Sequence, residues 1–134
     1  MPAQQYRKIS VDDVPANTRR GGDLRTLVSP ATAGARGGLF GVVTLGPGEV
    51  VGEHYHPYSE ETLFVVDGAV TARLDGAAVL LHAGEAVLVP VGVRHRVEHA
   101  EGAPARVTFA LFGLAPRPDL GHVDTEADYL RGQA

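Results

Sequence analysis

From Leu39 onward the chain is written in short apolar runs separated by turn residues. The runs cover residues 39–45, 50–56, 62–66, 69–74, 78–81, 86–89, 95–98 and 106–112. Between them fall Gly46-Pro47-Gly48, Pro57-Tyr58-Ser59, Asp67-Gly68, Asp75-Gly76, Ala83-Gly84 and Gly102-Ala103-Pro104. Runs of this length, rich in β-branched residues and bounded by Gly, Pro and Asp, read as strands, and nothing from 39 to 112 sustains a helical period. Asp-Gly between two apolar runs is a hairpin signal, and its two occurrences predict two tight hairpins. The number and spacing of the strands suit a closed or double-sheet Greek-key barrel, so the expected class is all-β.

The flanks read differently. Residues 1–38 carry Pro2, Pro15 and Pro30 and a Gly/Ala/Arg-rich stretch at 31–38, which predicts a lead-in arm with one early strand at 24–29. After Phe112, Leu114-Ala115-Pro116-Arg117-Pro118 cannot run through the centre of a sheet, because each proline removes a ladder donor. A tail over 114–134 is expected, with a short helix at 125–131 capped by Asp124 or Thr125. The resulting organisation is one domain: arm 1–38, barrel 39–113, tail 114–134.

Composition narrows the chemistry. With 134 residues, 44% of them hydrophobic and 21% charged, the chain is an ordinary globular domain. A chain of this size buries roughly two-thirds of its unfolded surface and needs no covalent staple. It contains no cysteine, which removes disulfides, thiol nucleophiles, thiolate zinc clusters, c-type haem attachment and iron–sulfur ligation. Any metal must sit on His and carboxylate. The net charge is −4 with the basic residues scattered, so nucleic acid is not an expected partner. Residues 1–10 lack the apolar core of a signal peptide and no apolar run approaches a membrane span, so the expectation is a cytoplasmic protein without a membrane partner.

Three of the six histidines fall in two short segments, Glu53-His54-Tyr55-His56 and Arg94-His95-Arg96. Strand residues two apart share a face, so His54 and His56 can converge on one ion. A turn at 57–60 is expected to carry Glu61 onto the neighbouring strand, and His95, on a much later strand, to close the set across the barrel. Three imidazoles and a carboxylate suit a first-row divalent ion rather than calcium, and octahedral geometry would leave two positions open, as a catalytic ion requires. An isolated His-x-His is as often a surface or hydrogen-bonded pair; the second segment changes that balance. The glycines at strand junctions, Gly48, Gly68, Gly76, Gly84 and Gly92, have a conformational reading, since positive φ is accessible at low cost only to glycine.

Gly48-x5-His54-x-His56-x4-Glu61-x6-Gly68 and Gly84-x5-Pro90-x-Gly92-x2-His95 resemble the two motifs of the cupin superfamily, spacing included. The resemblance implies a small jelly-roll barrel, a double-stranded β-helix, with one metal inside it on His54, His56, Glu61 and His95. His99 departs from the pattern, whose second motif usually ends in Asn; four residues beyond His95 on the same strand face, it is a candidate for an extra ionisable group or ligand. The segments 7–15, 19–23, 53–61 and 114–118 further resemble the cupins of bacterial aromatic polyketide pathways, which include cyclases of the resistomycin and tetracenomycin type. That resemblance implies a homodimer holding a divalent metal, often zinc, and acting on a poly-β-keto intermediate; iron, manganese or nickel would instead suit a cupin oxygenase or isomerase.

An aldol closure needs a polarised ketone, which a divalent ion supplies, and a base for the α-proton. A hydroxide on the ion, His99 and Glu60 are the candidates, with Glu60 expected on the face opposite to Glu61. Phe40, Leu63, Phe64, Val65, Leu88, Val97, Phe109 and Leu111 are available as core or as walls for a flat substrate. Tyr55 and Tyr58 flank the metal loop. Arg19, Arg20, Arg36, Arg94 and Arg96 are candidates for contact with an acyl carrier protein, though a solvated face is the commoner fate of such residues. His122 is placed in the tail, free to reach another subunit, and His82 on the surface. Two other functions fit the motifs: a cupin oxygenase or isomerase of a small carbonyl compound, and a non-enzymatic ligand-binding cupin. The latter is usually joined to a DNA-binding domain, and the chain has no helix-turn-helix segment.

Overall fold

The computed structural model describes residues 6–133; the first five residues of the expected arm and Ala134 lie outside the described residues. Ten strands follow in chain order: β1 (Asp23–Val28), β2 (Gly38–Leu45), β3 (Val50–Tyr55), β4 (Glu60–Asp67), β5 (Ala69–Leu74), β6 (Ala77–His82), β7 (Ala86–Val89), β8 (His95–His99), β9 (Ala105–Phe112) and β10 (Val123–Asp124). Two helices accompany them, α1 (Pro30–Ala33) and α2 (Glu126–Gly132). The strands form two antiparallel five-stranded sheets, ordered β1-β2-β9-β4-β7 and β10-β3-β8-β5-β6. The all-β barrel expected from the turn spacing is thus formed, its two sheets packed face to face. No helix among the described residues is long and apolar enough to cross a membrane.

One Asp-Gly pair makes the expected hairpin and the other does not. Asp75 and Gly76 connect β5 to β6, with Leu74 opposite Ala77. Both turn residues have positive φ, 48° and 83°, as the tight turn between twisted strands requires. Asp67-Gly68, by contrast, lies between β4 and β5, which belong to different sheets. Gly68 packs against Ala105, where an added Cβ would lie 2.9 Å from the Ala105 Cα. The pair is a corner at which the chain crosses the barrel, a distinction that depends on long-range pairing and not on the dipeptide.

The barrel is filled at one end only. Leu45, Val65, Val70, Ala105 and Val107 are fully buried and close that end. Towards the other end the inward-facing residues leave a cavity of about 490 Å³. Leu63, Val97, Phe109 and Leu111 line it, as the sequence allows; Val65 is core, and Phe40, Phe64 and Leu88 are exposed. Phe109 has room because its cross-strand partner is Gly41. A Cβ there would stand 2.3 Å from the Phe109 ring.

The tail is not a free appendage. β10 pairs with β3, Val123 opposite Tyr55 and Asp124 opposite His54. At the start of α2 the Asp124 carboxylate accepts the Glu126 N–H at 2.9 Å, while the Thr125 hydroxyl donates to Glu53 Oε1 at 2.8 Å. Of the two expected caps, Asp124 therefore serves the helix and Thr125 serves the barrel. Glu126 accepts the Glu53 N–H at 2.8 Å and pairs with Arg96, whose guanidinium lies 4.5 Å above the Tyr129 ring.

Candidate metal centre

A bulge aims the histidines. On β3, Val51 faces the core opposite Val97, and simple alternation from it would turn Glu53 and Tyr55 inward. The register instead advances three residues on β3, from Val51 to His54, against two on β8, from Val97 to His95. The extra residue at Gly52-Glu53 reverses the phase, so that His54 and His56 enter the barrel. Gly52 suits this position, since a Cβ there would already lie 3.3 Å from the Glu126 side chain.

His95 stands directly opposite His54 on the adjacent strand, with ring centroids 4.2 Å apart. Glu61 comes from β4 in the facing sheet. This inverts the expected arrangement: His95 is the neighbour, and Glu61 closes the set across the barrel. The reason is the crossover after Tyr55, where the turn at 57–59 passes from one sheet to the other instead of forming a hairpin.

The four residues are 1–8% exposed, and one ligand atom from each lies within 4.8 Å of the other three. Glu61 Oε1 approaches His95 Nε2 at 2.9 Å and its Oε2 approaches His56 Nε2 at 3.9 Å. On the far side of each ring Nδ1 meets a backbone carbonyl: His54 with Gly52 at 2.7 Å, His56 with Gly121 at 2.9 Å and His95 with Val93 at 2.9 Å. A carbonyl only accepts, so each Nδ1 carries a proton, and in the neutral ring Nε2 is left to present its lone pair to the interior. Among the described residues, Nε2 of His56 and of His95 has no partner in hydrogen-bond geometry, although both are buried. Buried, unpartnered acceptors beside a carboxylate are costly by themselves and fit a divalent cation. The cluster is a candidate metal site whose donors do not fix the identity of the ion.

The electrostatics agree. Burial, with the neighbouring imidazoles, lowers the pKa of His54 to about 2, and burial also lowers that of His56 despite the Glu61 charge. For His95, burial acts downward as well but the adjoining Glu61 carboxylate outweighs it, and the net shift is upward. Two of the imidazoles are thus held neutral, the form that binds metal.

His122 was not legible as part of this region. It stacks on His54, centroids 4.4 Å apart at 17°, within the same chain. Burial and the Arg20 charge lower its pKa to about 4. The fold-back at Pro118–Leu120 places it there together with Gly121, the carbonyl partner of His56. The proline pair at 116 and 118 was the available signal, although it says only that the sheet stops.

The other candidates lie elsewhere. His99 ends β8 opposite Val70, and its Nε2 meets the Ala103 carbonyl at 2.9 Å, outside the cavity lining. Glu60 is exposed on the outer face, opposite Phe112. Neither Tyr55 nor Tyr58 lines the cavity. Arg96 is engaged by Glu98 and Glu126, and Arg94 approaches Asp128 at 3.9 Å. His82 is a surface residue beside Glu85.

Comparison with known proteins is consistent with this architecture. Residues 41–111 match the cupin domain model. Protein SchB of Streptomyces halstedii is 52% identical over 126 residues, covering 94% of this chain and 91% of that protein. Polyketide synthase CurC of Streptomyces cyaneus is 46% identical over 127 residues, covering 95% and 82%. Among solved structures, the polyketide cyclase RemF from Streptomyces resistomycificus superposes with a TM-score of 0.73 over 97% of this chain and 94% of that one. At 19% identity this last likeness speaks for the fold alone. The matched domain model and the extent of these relatives make the chain a member of the cupin domain family.

Proposed function

We propose that the chain is a metal-dependent cyclase of aromatic polyketide biosynthesis, holding one divalent ion, zinc by preference, on His54, His56, Glu61 and His95. The observation that carries this reading is the set of inward-facing Nε2 atoms and the Glu61 carboxylate at the wall of an apolar cavity of about 490 Å³. The name of the CurC relative supports the substrate class. When bound, the ion supplies Lewis acidity toward a ketone oxygen.

The protein's own part is positional. The Gly52, Gly121 and Val93 carbonyls fix the ring planes and tautomers of the three histidines. The walls formed by Leu63, Val97, Phe109 and Leu111 disfavour water and offer an apolar surface to a planar ligand. Excluding water matters for an aldol closure, which competes with protonation of the enolate. We assign no proton transfer to His99 or Glu60, because neither side chain lines the cavity.

We further propose that the chain is a homodimer, paired through the outer face of the β1-β2-β9-β4-β7 sheet. Phe40, Phe64, Leu88 and Phe112 are between 39% and 53% exposed on that face.

The metal reading is tested by elemental analysis of protein purified without a polyhistidine tag, beside a His54→Ala/His56→Ala variant, together with product analysis in a reconstituted polyketide synthase. About one equivalent of zinc, lost in the variant along with the cyclised product, is the expected result. Iron accompanied by oxygen uptake would replace the cyclase by an oxygenase. No metal after incubation with zinc, iron, manganese and nickel would overturn the proposal.

A further inference from the structure

The cavity also borders a charge that is not part of the metal cluster. Arg20 lines it beside His122, and also lines a smaller recess of about 260 Å³. It is half-buried. Among the described residues no carboxylate pairs with it: burial and Arg19 lower its pKa, and Asp124 acts on it only through longer-range attraction.

The backbone around Arg20 is built to hold it there. Its carbonyl accepts the Gly52 N–H at 3.0 Å, tying it to the bulge that aims the histidines. Gly21 and Gly22 follow with φ of 102° and 67°. A Cβ on Gly21 would lie 1.7 Å from the Val50 carbonyl oxygen, and one on Gly22 would lie 2.5 Å from the Leu45 side chain. Two successive positions open only to glycine thus press this loop onto the barrel rim. A solvated surface arginine requires no such arrangement.

A half-buried arginine without a carboxylate partner, lining an apolar cavity, is matched by an oxyanion that can accept the parallel N–H donors of its guanidinium. We propose that Arg20 is the anion-recognition residue of the cavity, and that the ligand is a largely apolar molecule bearing an acid group at its outer end. This rests on the reading of the cavity as a small-molecule site. The oxyanion is either the ligand's own carboxylate or the phosphate of a phosphopantetheine arm that carries it.

The test is equilibrium binding of naphthoate, its neutral counterpart naphthamide, and phosphopantetheine to the wild type, Arg20→Met and Arg20→Lys, each as purified. The expected result is a naphthoate-over-naphthamide preference that falls about tenfold in Arg20→Met and is partly kept in Arg20→Lys. Unchanged naphthamide affinity would show that the cavity is intact. Taking the change in preference on substitution removes any contribution from carboxylate ligation to a metal, which all three proteins share. Arg20-dependent binding of phosphopantetheine assigns the anion to a carrier arm; Arg20-dependent preference for naphthoate alone assigns it to the ligand. If neither changes with Arg20, the inference is overturned. Since no turnover is read, failure of the cyclase assignment leaves this result standing.

Discussion

Each histidine of the cluster is specified twice, once by the Nε2 it turns inward and once by the carbonyl that holds its Nδ1. Removing His95, 1% exposed, leaves the Glu61 carboxylate buried without its nearest cation or ligand partner. His95→Ala is expected to abolish metal retention and to cost the metal-free fold about 3 kcal/mol, read by denaturant titration in chelator. Equal stability with and without His95 would mean that Glu61 finds another partner. The pH response of the metal-free protein has a definite sign. The pKa values of His54, His56 and His122 are lowered in the fold, so the unfolded chain binds more protons than the native one once pH falls below about 6.5. Their contribution to stability is present above that pH and is lost below it. His95 is shifted upward, and its contribution runs the other way, full at low pH and lost as pH rises through its folded pKa. Three groups against one give a net loss on acidification. The unfolding midpoint in chelator should therefore fall between pH 7 and pH 5, and a midpoint that rose instead would contradict the neutral state assigned to these imidazoles.

The elements show how local signals and long-range pairing divide the work. Apolar runs and turn residues revealed nearly every strand of the barrel, because alternation and punctuation are properties of adjacent residues. The grouping of His54 with His56 was legible for a similar reason: they stand two residues apart, His54 in β3 and His56 just past its end, and the motif surrounds them. Sheet membership was not legible. Asp67-Gly68 has the composition of a hairpin and makes a corner, while Glu61 and His95 exchange the near and far sides expected of them. The bulge at Gly52-Glu53 was equally hidden, since it exists only relative to the register of β8. So was β10, a strand of two residues that forms by docking on β3 and has no pattern of its own. This last element has a testable consequence. Thr125 and Glu126 fasten the tail through Glu53 and Arg96, and the same tail supplies the Gly121 carbonyl to His56. A Thr125→Ala/Glu126→Ala variant, which touches no ligand, is expected to bind zinc about tenfold more weakly in a competitive chelator titration. Unchanged affinity would show that the His56 ring is held without the tail.

On the scale of the molecule, one sheet covers the cavity on its inside and presents aromatic residues on its outside. Phe40 and Leu88 lie in the cross-strand row Phe40–Ala110–Thr62–Leu88, and Phe64 lies in the adjacent row beside Thr108 and Ala86. Across β7, β4, β9 and β2 these two rows contain no charged side chain, and the one on β1, Arg25, is paired with Asp23 at 2.9 Å, so a twofold pairing of this face with itself meets little like-charge opposition there. An interface of ordinary size, about 1,600 Å² in total, is within reach of a five-stranded sheet face. In sedimentation equilibrium at micromolar concentration the wild type should run at twice the 14.1 kDa of one chain. A Phe64→Glu/Leu88→Glu variant places like charges on both copies and should run as a monomer. Because both side chains are exposed and point away from the barrel interior, the variant should keep its metal. Its metal content separates loss of pairing from loss of fold, and a wild type that sediments as a monomer would leave the outer face without the partner proposed for it.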